Sequence, residues 1–311
     1  MGEHRWLVAG GQNLDHLATA STSYIAGDSN RGTIEVRAGG VGLNMARNVR
    51  ALGGRVFFCS ACGDDAAGAA LTDVIRAADV DDRYVLVRDG FSTSRYVAVH
   101  DETGEMVAAV NDMAVFDALT PEAIADWCEL TDADGALLDA NLSSEVLDAL
   151  SSSWTCPLFA DAVSIVKAPR LLPIMGRLRG IKLNRHEAMA LTDLVIETMD
   201  DAATAAELLL DMGASSVCLS MSVRGALFAD GARMMVGRPP EDAVWVNTTG
   251  AGDAMAATFA WTTAYGAPLR DIATWSMAAA TLTAASSEPV DPDLTRERVE
   301  IRAKTIPFDI I

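Results

Sequence analysis

The amino-acid sequence predicts an α/β fold with a mostly parallel central sheet and a small antiparallel sheet beside it. Short apolar runs alternate with helix-type patterns along most of the 311 residues, as in consecutive β–α–β units that place helices on both faces of one sheet. Residues 93–113 break this pattern with two extended runs around a turn. No linker rich in Pro, Gly or Ser divides the chain, so we expect a single domain over residues 1–311.

The expected strands of the central sheet are short apolar runs, which suits strands that are buried on both faces. They are RWLVAG (5–10), RVFFCSAC (55–62), GALLDAN (135–141), PLFADAV (157–163), GIKLN (180–184), SVCLSMS (216–222) and ALFAD (226–230). Helical patterns between them predict helices at 42–54, 67–78, 121–128 and 202–212. A further strand-like run, 243–246, precedes a long segment of small apolar residues that we expect to form a buried helix.

The small sheet is predicted from two non-helical stretches. Residues 93–113 have the pattern of a β-hairpin around the turn Asp101-Glu-Thr-Gly104. Residues 17–36 also lack a helical pattern, and we expect them to pair with this hairpin. The resulting sheet is expected to form a lid over a pocket at the carboxyl ends of the parallel strands.

The composition argues against several classes of protein. The formal net charge is −19 and no run of Lys and Arg occurs, so we expect no nucleic-acid partner, because the long-range field repels polyanions. The N-terminus lacks a signal-peptide pattern and no window holds 18 apolar residues, which favours a cytoplasmic protein without a membrane span. The five cysteines, including Cys59 and Cys62, fit reduced core thiols better than disulfides or a metal site.

Two glycine-rich turns each precede a predicted helix, and neither matches a common nucleotide-binding motif. The early turn, Gly39-Gly-Val-Gly42, would need a glycine at Met45 to complete a dinucleotide fingerprint. A P-loop is excluded because Gly-Lys occurs nowhere in the chain.

The late turn, NTTGAGD (247–253), places a carboxylate in the first turn of a predicted helix. Unpaired amides at such a helix end, together with the helix dipole, stabilise an anion. Asp253 could accept a proton from a hydroxyl group there. It could equally be an ordinary N-terminal Asp that stabilises the helix, and the local pattern leaves both interpretations open.

The segments GGVGLNMARNVRALGG (39–54), NTTGAGDAM (247–255) and KLNRHEA (182–188) resemble the signature regions of the ribokinase-like (PfkB) family of carbohydrate and nucleoside kinases. Within it the chain is most similar to the pseudouridine kinases, on AGDSNRG (26–32), TGEMVAAVNDM (103–113), DANLSSEVL (139–147) and DAVSIVK (161–167). The resemblance implies a ribokinase-like three-layer sandwich and phosphoryl transfer from ATP to a sugar hydroxyl. For a pseudouridine kinase this is the ribose 5′-hydroxyl.

The resemblance also implies roles for individual residues. Asp253 is expected to be the base, with an ordinary or lowered pKa, and the backbone amides of Gly250, Ala251 and Gly252 to form an anion hole. The expected substrate-binding residues are Asn13, Asp15, Gly40, Asn44, Thr93, Asn111 and Asn141. The expected ATP- and phosphate-binding residues are Lys167, Asn184, Glu187, Ser220, Arg224, Gly225 and Thr248.

Cofactors and partners follow from the same resemblance. Glu187 is expected to hold Mg²⁺ through water, although Asn184 and Glu187 also fit an ordinary helix start. A monovalent cation and a homodimer formed through the lid are further expectations. The alternatives are a kinase for another nucleoside or a free sugar such as ribose or fructose, and a non-catalytic nucleoside sensor.

Overall fold

The computed structural model describes residues 4–231 and 233–311, which form two sheets and the helices around them. The strands are β1 His4–Ala9, β2 Asn13–Ala20, β3 Gly32–Gly39, β4 Gly54–Gly63, β5 Val85–Arg88, β6 Arg95–His100, β7 Met106–Asp112, β8 Gly135–Asp139, β9 Leu158–Asp161, β10 Leu178–Asn184, β11 Ser216–Ser220, β12 Ala226–Asp230, β13 Arg233–Gly237 and β14 Phe308–Ile310. The α-helices are α1 Val41–Ala51, α2 Ala66–Ala77, α3 Ala114–Asp117, α4 Ala125–Cys128, α5 Ser144–Ser153, α6 Arg185–Thr192, α7 Met199–Asp211, α8 Ala251–Ala264, α9 Leu269–Ala284 and α10 Arg296–Ala303. Short 3₁₀ helices cover Ala168–Arg177 and Ser222–Arg224.

The central sheet has the strand order β14-β13-β12-β11-β10-β9-β8-β1-β4-β5. Strands β1, β4, β5 and β8 to β11 pair in parallel, and β12 to β14 extend the sheet with antiparallel pairs. This confirms the predicted mostly parallel sheet. No helix in the described part of the chain is long and apolar enough to cross a bilayer.

The core lies on both faces of this sheet, as its apolar strands predict. In β1, Trp6 and Val8 join the cluster that packs against α1, α8 and α9, whereas Leu7 and Ala9 join the cluster on the opposite face with α5 and α7. This alternation follows from the period of two in a strand. Helix α8 is buried from Ala254 to Thr263, so its N-terminal end is held rigidly at one edge of the sheet.

The small sheet has the order β3-β2-β6-β7. Its outer pairs are antiparallel and its central pair, β2 with β6, is parallel. The predicted hairpin is present, and its turn is fixed by the Asp101 carboxylate, which accepts hydrogen bonds from the amides of Thr103 and Glu105. The first stretch of this sheet begins at Asn13, four residues before the predicted start at residue 17.

The prediction of a strand at 243–246 is wrong. Residues 238–250 connect β13 to α8 without regular structure, and Val244, Trp245 and Val246 are largely exposed. The run cannot pair with β13, the strand that it follows, because β13 already has β12 and β14 as neighbours. The predicted helix at 121–128 is also shorter, since only Ala125–Cys128 is helical and turns precede it.

Candidate active site

Helix α8 begins at the GAGD motif because Gly250 adopts a backbone conformation that other residues rarely take. Its φ of 79° lies in the left-handed region. A Cβ atom at this position would also lie 1.8 Å from the carbonyl oxygen of Pro289. Both restrictions require glycine, so the helix starts at one fixed point.

Several of the first backbone amides of α8 are free to bind an anion. The Ala251 amide donates to the Thr248 carbonyl oxygen at 3.3 Å. In contrast, no described residue accepts a hydrogen bond from the amides of Gly250, Gly252 or Asp253. The expected anion hole of residues 250–252 therefore changes: the Ala251 amide is engaged internally, and the Asp253 amide is available instead.

The Asp253 side chain meets the first turn of α1. Asn44 Nδ2 donates to Asp253 Oδ2 at 2.8 Å, while the buried Asn44 Oδ1 has no partner among the described residues. Gly40, with a φ of 100°, precedes α1, and a Cβ there would lie 2.6 Å from the Gly11 carbonyl oxygen. The early glycines thus allow α1 to approach β1 closely enough for Asn44 to reach Asp253.

A buried ion pair lies beneath the start of α8. Lys182 Nζ is 2.9 Å from Asp161 Oδ2, and both side chains are almost fully buried. A Cβ atom on Gly252 would lie 3.0 Å from Lys182 Nζ. Glycine at position 252 therefore leaves room for the ammonium group directly below the free amides.

The carboxylates near the helix tip hold protons more tightly than isolated ones. Burial, reinforced by Asp161, raises the pKa of Asp253 to about 7, although Lys182 and Asn44 oppose this. Burial also raises the pKa of Asp139 to about 6. The expectation of an ordinary or lowered pKa for Asp253 is therefore wrong, because burial disfavours its charged form and the nearby Asp161 adds to this effect. A base with a pKa near neutrality remains well suited to accept a proton.

Burial by itself would lower the pKa of Lys182, but Asp161, Glu187 and Asp253 outweigh it and raise this pKa. The ammonium group therefore remains charged at neutral pH.

Among the predicted substrate-binding residues, Asn13 and Asp15 lie at the start of β2, and Asn141 follows β8. Asn13 and Asp15 are hydrogen-bonded to each other through Asn13 Nδ2 and Asp15 Oδ1, and burial raises the pKa of Asp15. Asn141 packs against Gly11, where a Cβ would lie 2.6 Å from its Nδ2 atom. Lys167 Nζ donates to Asn141 Oδ1 at 2.6 Å, which associates this lysine with a predicted substrate residue.

Thr93 does not face this site. Its hydroxyl donates to Asp65 Oδ1 at 2.5 Å and accepts from the Gly63 amide at 3.0 Å. Asp65 is the N-cap of α2, so Thr93 ties the base of the small sheet to α2. Its hydrogen-bonding capacity is used internally, and the predicted contact with a nucleobase is wrong in this structure.

A cavity of about 180 Å³ lies on the other side of the helix tip. It contains three of the predicted nucleotide residues, Ser220, Gly225 and Thr248, together with Gly252. Trp245, from the run that was predicted as a strand, also lines it. Gly252 therefore lies between this cavity and the Asp253–Asn44 pair.

Arg224 is not directed at this cavity as expected. Its guanidinium donates to the carbonyl oxygen of Glu197 in the loop before α7. Val223 from the same turn lines the cavity instead and is 71% exposed. The turn therefore offers an apolar side chain to the cavity.

Asn184 and Glu187 form a capping box at the start of α6. Asn184 Oδ1 accepts from the Glu187 amide at 3.0 Å, and Glu187 Oε2 accepts from the Asn184 amide at 2.7 Å. Burial, with a contribution from Asp161, raises the pKa of Glu187, while Lys182 opposes the shift.

No group of three or more His, Cys, Asp or Glu side chains within residues 4–231 and 233–311 could enclose a metal ion. A single carboxylate that acts through water is nevertheless compatible with Mg²⁺, which usually keeps several waters and takes few protein ligands.

Sequence reasoning missed Lys182, Asp161 and Trp245 as site residues. The signal for Lys182 was a charged residue inside the buried strand β10, which is rare unless the charge is paired. The signal for Asp161 was its place at the carboxyl end of β9, in register with Asp139 at the end of β8.

Known proteins share both the sequence pattern and the fold. Residues 13–296 match the model of the pfkB family of carbohydrate kinases. The chain is 30% identical over 291 residues to a pseudouridine kinase of Escherichia coli (strain K12), and the aligned region covers 93% of both chains. It is 29% identical over 231 residues to a guanosine-inosine kinase of Exiguobacterium acetylicum, and this aligned region covers 72% of this chain and 76% of the relative.

The fold is that of ribokinase. The structure of Arabidopsis thaliana ribokinase complexed with ribose and ATP has a TM-score of 0.82 at 20% identity, covering 98% of this chain and 99% of the ribokinase. Because the family match spans most of the sequence, the chain belongs to the pfkB family of carbohydrate kinases and is a phosphotransferase that acts on a hydroxyl group.

Proposed function

We propose that the protein is an ATP-dependent kinase that phosphorylates the 5′-hydroxyl of pseudouridine. The observation that carries this proposal is the helix tip of α8, where free amides at Gly252 and Asp253 separate a cavity from a carboxylate of raised pKa. Phosphoryl transfer depends mainly on alignment of donor and acceptor and on neutralisation of charge. A helix tip between two binding regions provides both.

Asp253 acts as the base that receives the proton of the acceptor hydroxyl. Asn44 holds Asp253 Oδ2 through its amide nitrogen, and the unpartnered Asn44 Oδ1 accepts a hydrogen bond from the substrate. The hydroxyl oxygen forms the new bond to phosphorus as the bond to the leaving ADP breaks, and the proton passes to Asp253. The amides of Gly252 and Asp253, with Lys182 below them, stabilise the charge on the migrating group.

The acceptor is held on the α1 side of the helix tip. Asp15 and Asn13 bind ribose hydroxyls, since a carboxylate and an amide provide strong acceptors and a donor. Asn141, Asn111 and Lys167 supply donors and acceptors to a nucleobase. The 30% identity to a pseudouridine kinase favours pseudouridine as this nucleoside. Another nucleoside is the second candidate, because a relative of similar identity is a guanosine-inosine kinase.

ATP occupies the cavity on the other side of Gly252. Ser220, Thr248 and Gly225 face its phosphates and sugar, and Trp245 and Val223 contact its base. Glu187 would hold Mg²⁺ through water, and the ion would supply further neutralisation of phosphate charge when bound. We also infer activation by a monovalent cation, a homodimer formed through the small sheet, and a cytoplasmic location, where ATP is available.

A panel of acceptors tests this function. Release of ADP is measured with pseudouridine, uridine, adenosine, ribose and fructose in the presence of Mg²⁺ and ATP. We expect the highest kcat/KM for pseudouridine, and an equal or higher value for another acceptor would refute the substrate assignment.

The Asp253→Asn variant separates a kinase from a sensor. We expect kcat to fall by about 10²- to 10⁴-fold, the usual contribution of a general base. Protection against thermal unfolding by pseudouridine should persist, because the substituted amide still fits beside Asn44. Turnover equal to that of the wild type would remove Asp253 from its role, and absence of turnover in the wild type with retained binding would favour a sensor.

A further inference from the structure

Tyr96 lies in register with two residues that the proposed function assigns to the acceptor. In the small sheet, Tyr96 of β6 is directly opposite Asp15 of β2 and Asn111 of β7. Residues that are directly opposite in neighbouring strands project from the same face. The aromatic ring therefore stands between a residue expected to hold the sugar and one expected to hold the base.

This face of the small sheet is turned toward the catalytic helix. Arg37, which is opposite Asp15 on the other side of β2, donates from Nη1 to the Ser287 carbonyl oxygen at 2.7 Å. The same oxygen accepts a hydrogen bond from Asn247 Nδ2 at 3.1 Å, and Asn247 begins the NTTGAGD segment. On the opposite face, Arg95 approaches Asp65 at the N-cap of α2.

The Tyr96 ring lies along the sheet. Its hydroxyl reaches Met106 Sδ at 3.5 Å, and Met106 is opposite His100, four residues further along β6. The Tyr96 side chain therefore leans along the strand, on the face that also carries Ala98, which is only 1% exposed. Tyr96 itself is only half-buried, so part of its side chain remains exposed on this face of the sheet.

We propose that the exposed part of the Tyr96 side chain is the platform on which the planar base of the acceptor nucleoside stacks. The inference rests on the proposed function and deepens it, because stacking increases the affinity for a nucleoside and does not increase the affinity for a free sugar. Base–aromatic stacking is worth about a ten- to hundredfold change in affinity when the ring is truncated to Ala. Hydrogen bonds of the base with Asn111 and of the ribose hydroxyls to Asp15 would then fix the base and the ribose relative to the ring.

The competing interpretation is that Tyr96 only packs against Met106 and stabilises the hairpin. In that case any apolar side chain of similar size restores the function of a truncated variant. A stacking role instead requires a planar ring, so the two interpretations differ in what rescues activity.

The test compares Tyr96→Ala, Tyr96→Leu and Tyr96→Phe, with Val97→Ala as a control on the opposite face of the same strand. For pseudouridine, kcat/KM should fall about ten- to hundredfold in the Ala variant and stay low in the Leu variant. The Phe and Val97→Ala variants should match the wild type, and the KM for ATP should not change in any variant. Thermal unfolding of each variant is measured alongside.

Two results would overturn the inference while the proposed function stands. One is wild-type kcat/KM in Tyr96→Ala, and the other is equal rescue by Leu and Phe. A wild-type protein that phosphorylates ribose but no nucleoside would instead refute the proposed acceptor, and the stacking platform with it. A wild-type protein without any kinase activity would refute the proposed function before the Tyr96 variants are compared.

Discussion

Lys182 and Asp161 form a buried ion pair, with Nζ 2.9 Å from Oδ2 and side chains that are 8% and 2% exposed. They come from neighbouring parallel strands, β10 and β9, and are directly opposite in register. The pair lies below Gly252, so it connects the carboxyl ends of the sheet to the tip of α8. Its energetics therefore affect both the stability of the fold and the charge at the site.

Lys182→Met should destabilise the protein by about 3–5 kcal/mol, because it leaves the Asp161 carboxylate buried without its partner. The double variant Lys182→Met/Asp161→Leu should recover much of this loss, since no uncompensated charge remains. Denaturant unfolding with a constant m-value measures both changes.

The matched control is the exposed pair of Arg233 and Asp230, whose side chains are 72% and 26% exposed. Arg233→Ala should cost no more than about 1 kcal/mol, because solvent screens exposed pairs. Equal losses in Lys182→Met and Arg233→Ala would show that the buried pair contributes nothing special to stability.

The pH dependence of turnover should follow the ionisation of the Asp253 carboxyl group. With a pKa of about 7 in the free protein, the base is ionised above neutrality, so kcat/KM should rise with pH through 7 and then level off. Asp161→Asn removes a carboxylate that raises this pKa, so its profile should move to lower pH. A profile with its midpoint near 4 in the wild type, or no shift in the variant, would contradict this electrostatic account.

The residues that sequence patterns located well are those whose local chemistry has a single solution. The GAGD motif requires a glycine with positive φ before a helix. The turn at Asp101 to Gly104 requires a short side chain that accepts hydrogen bonds from backbone amides. Alternating apolar and helical periods likewise predict the parallel sheet, because they report burial.

What the patterns missed depends on partners that are distant in sequence. The pairing of Lys182 with Asp161 follows from strand register, and the internal role of Thr93 follows from contact with Asp65. The run at 243–246 is exposed, and Trp245 from it lines a cavity. An apolar run has the same sequence pattern whether it forms a buried strand or not.

Gly250→Ala should disrupt the start of α8. The substitution combines an unfavourable positive φ with a Cβ atom 1.8 Å from the Pro289 carbonyl oxygen, so the loop at 286–291 or the helix must move. Gly53→Ala is the control, since Gly53 has a φ of 101° but a Cβ atom there would meet no atom of the described residues within 4 Å.

The control should lose about 1–2 kcal/mol from backbone strain alone, and Gly250→Ala should lose more and also lose turnover. Thermal unfolding and ADP release measure the two effects. If both variants lost the same stability and both kept full turnover, the contact with Pro289 would not define the helix tip.

Asp253→Asn should stabilise the folded protein at the pH where the enzyme works. The folded-state pKa of Asp253 is raised from 3.8 to about 7, so between these values the folded state binds more protons than the unfolded state and loses stability as the pH rises. The variant lacks this loss, so its melting temperature should exceed that of the wild type increasingly from pH 4 to pH 7, and the difference should level off above pH 7. Asp201→Asn should instead lower the melting temperature. Hydrogen bonds from the amides of Glu197 and Thr198 lower the pKa of Asp201, so its ionised form stabilises the fold above pH 4. A melting temperature of Asp253→Asn that falls below that of the wild type at pH 8 would show that the fold stabilises the ionised carboxylate, contrary to its raised pKa.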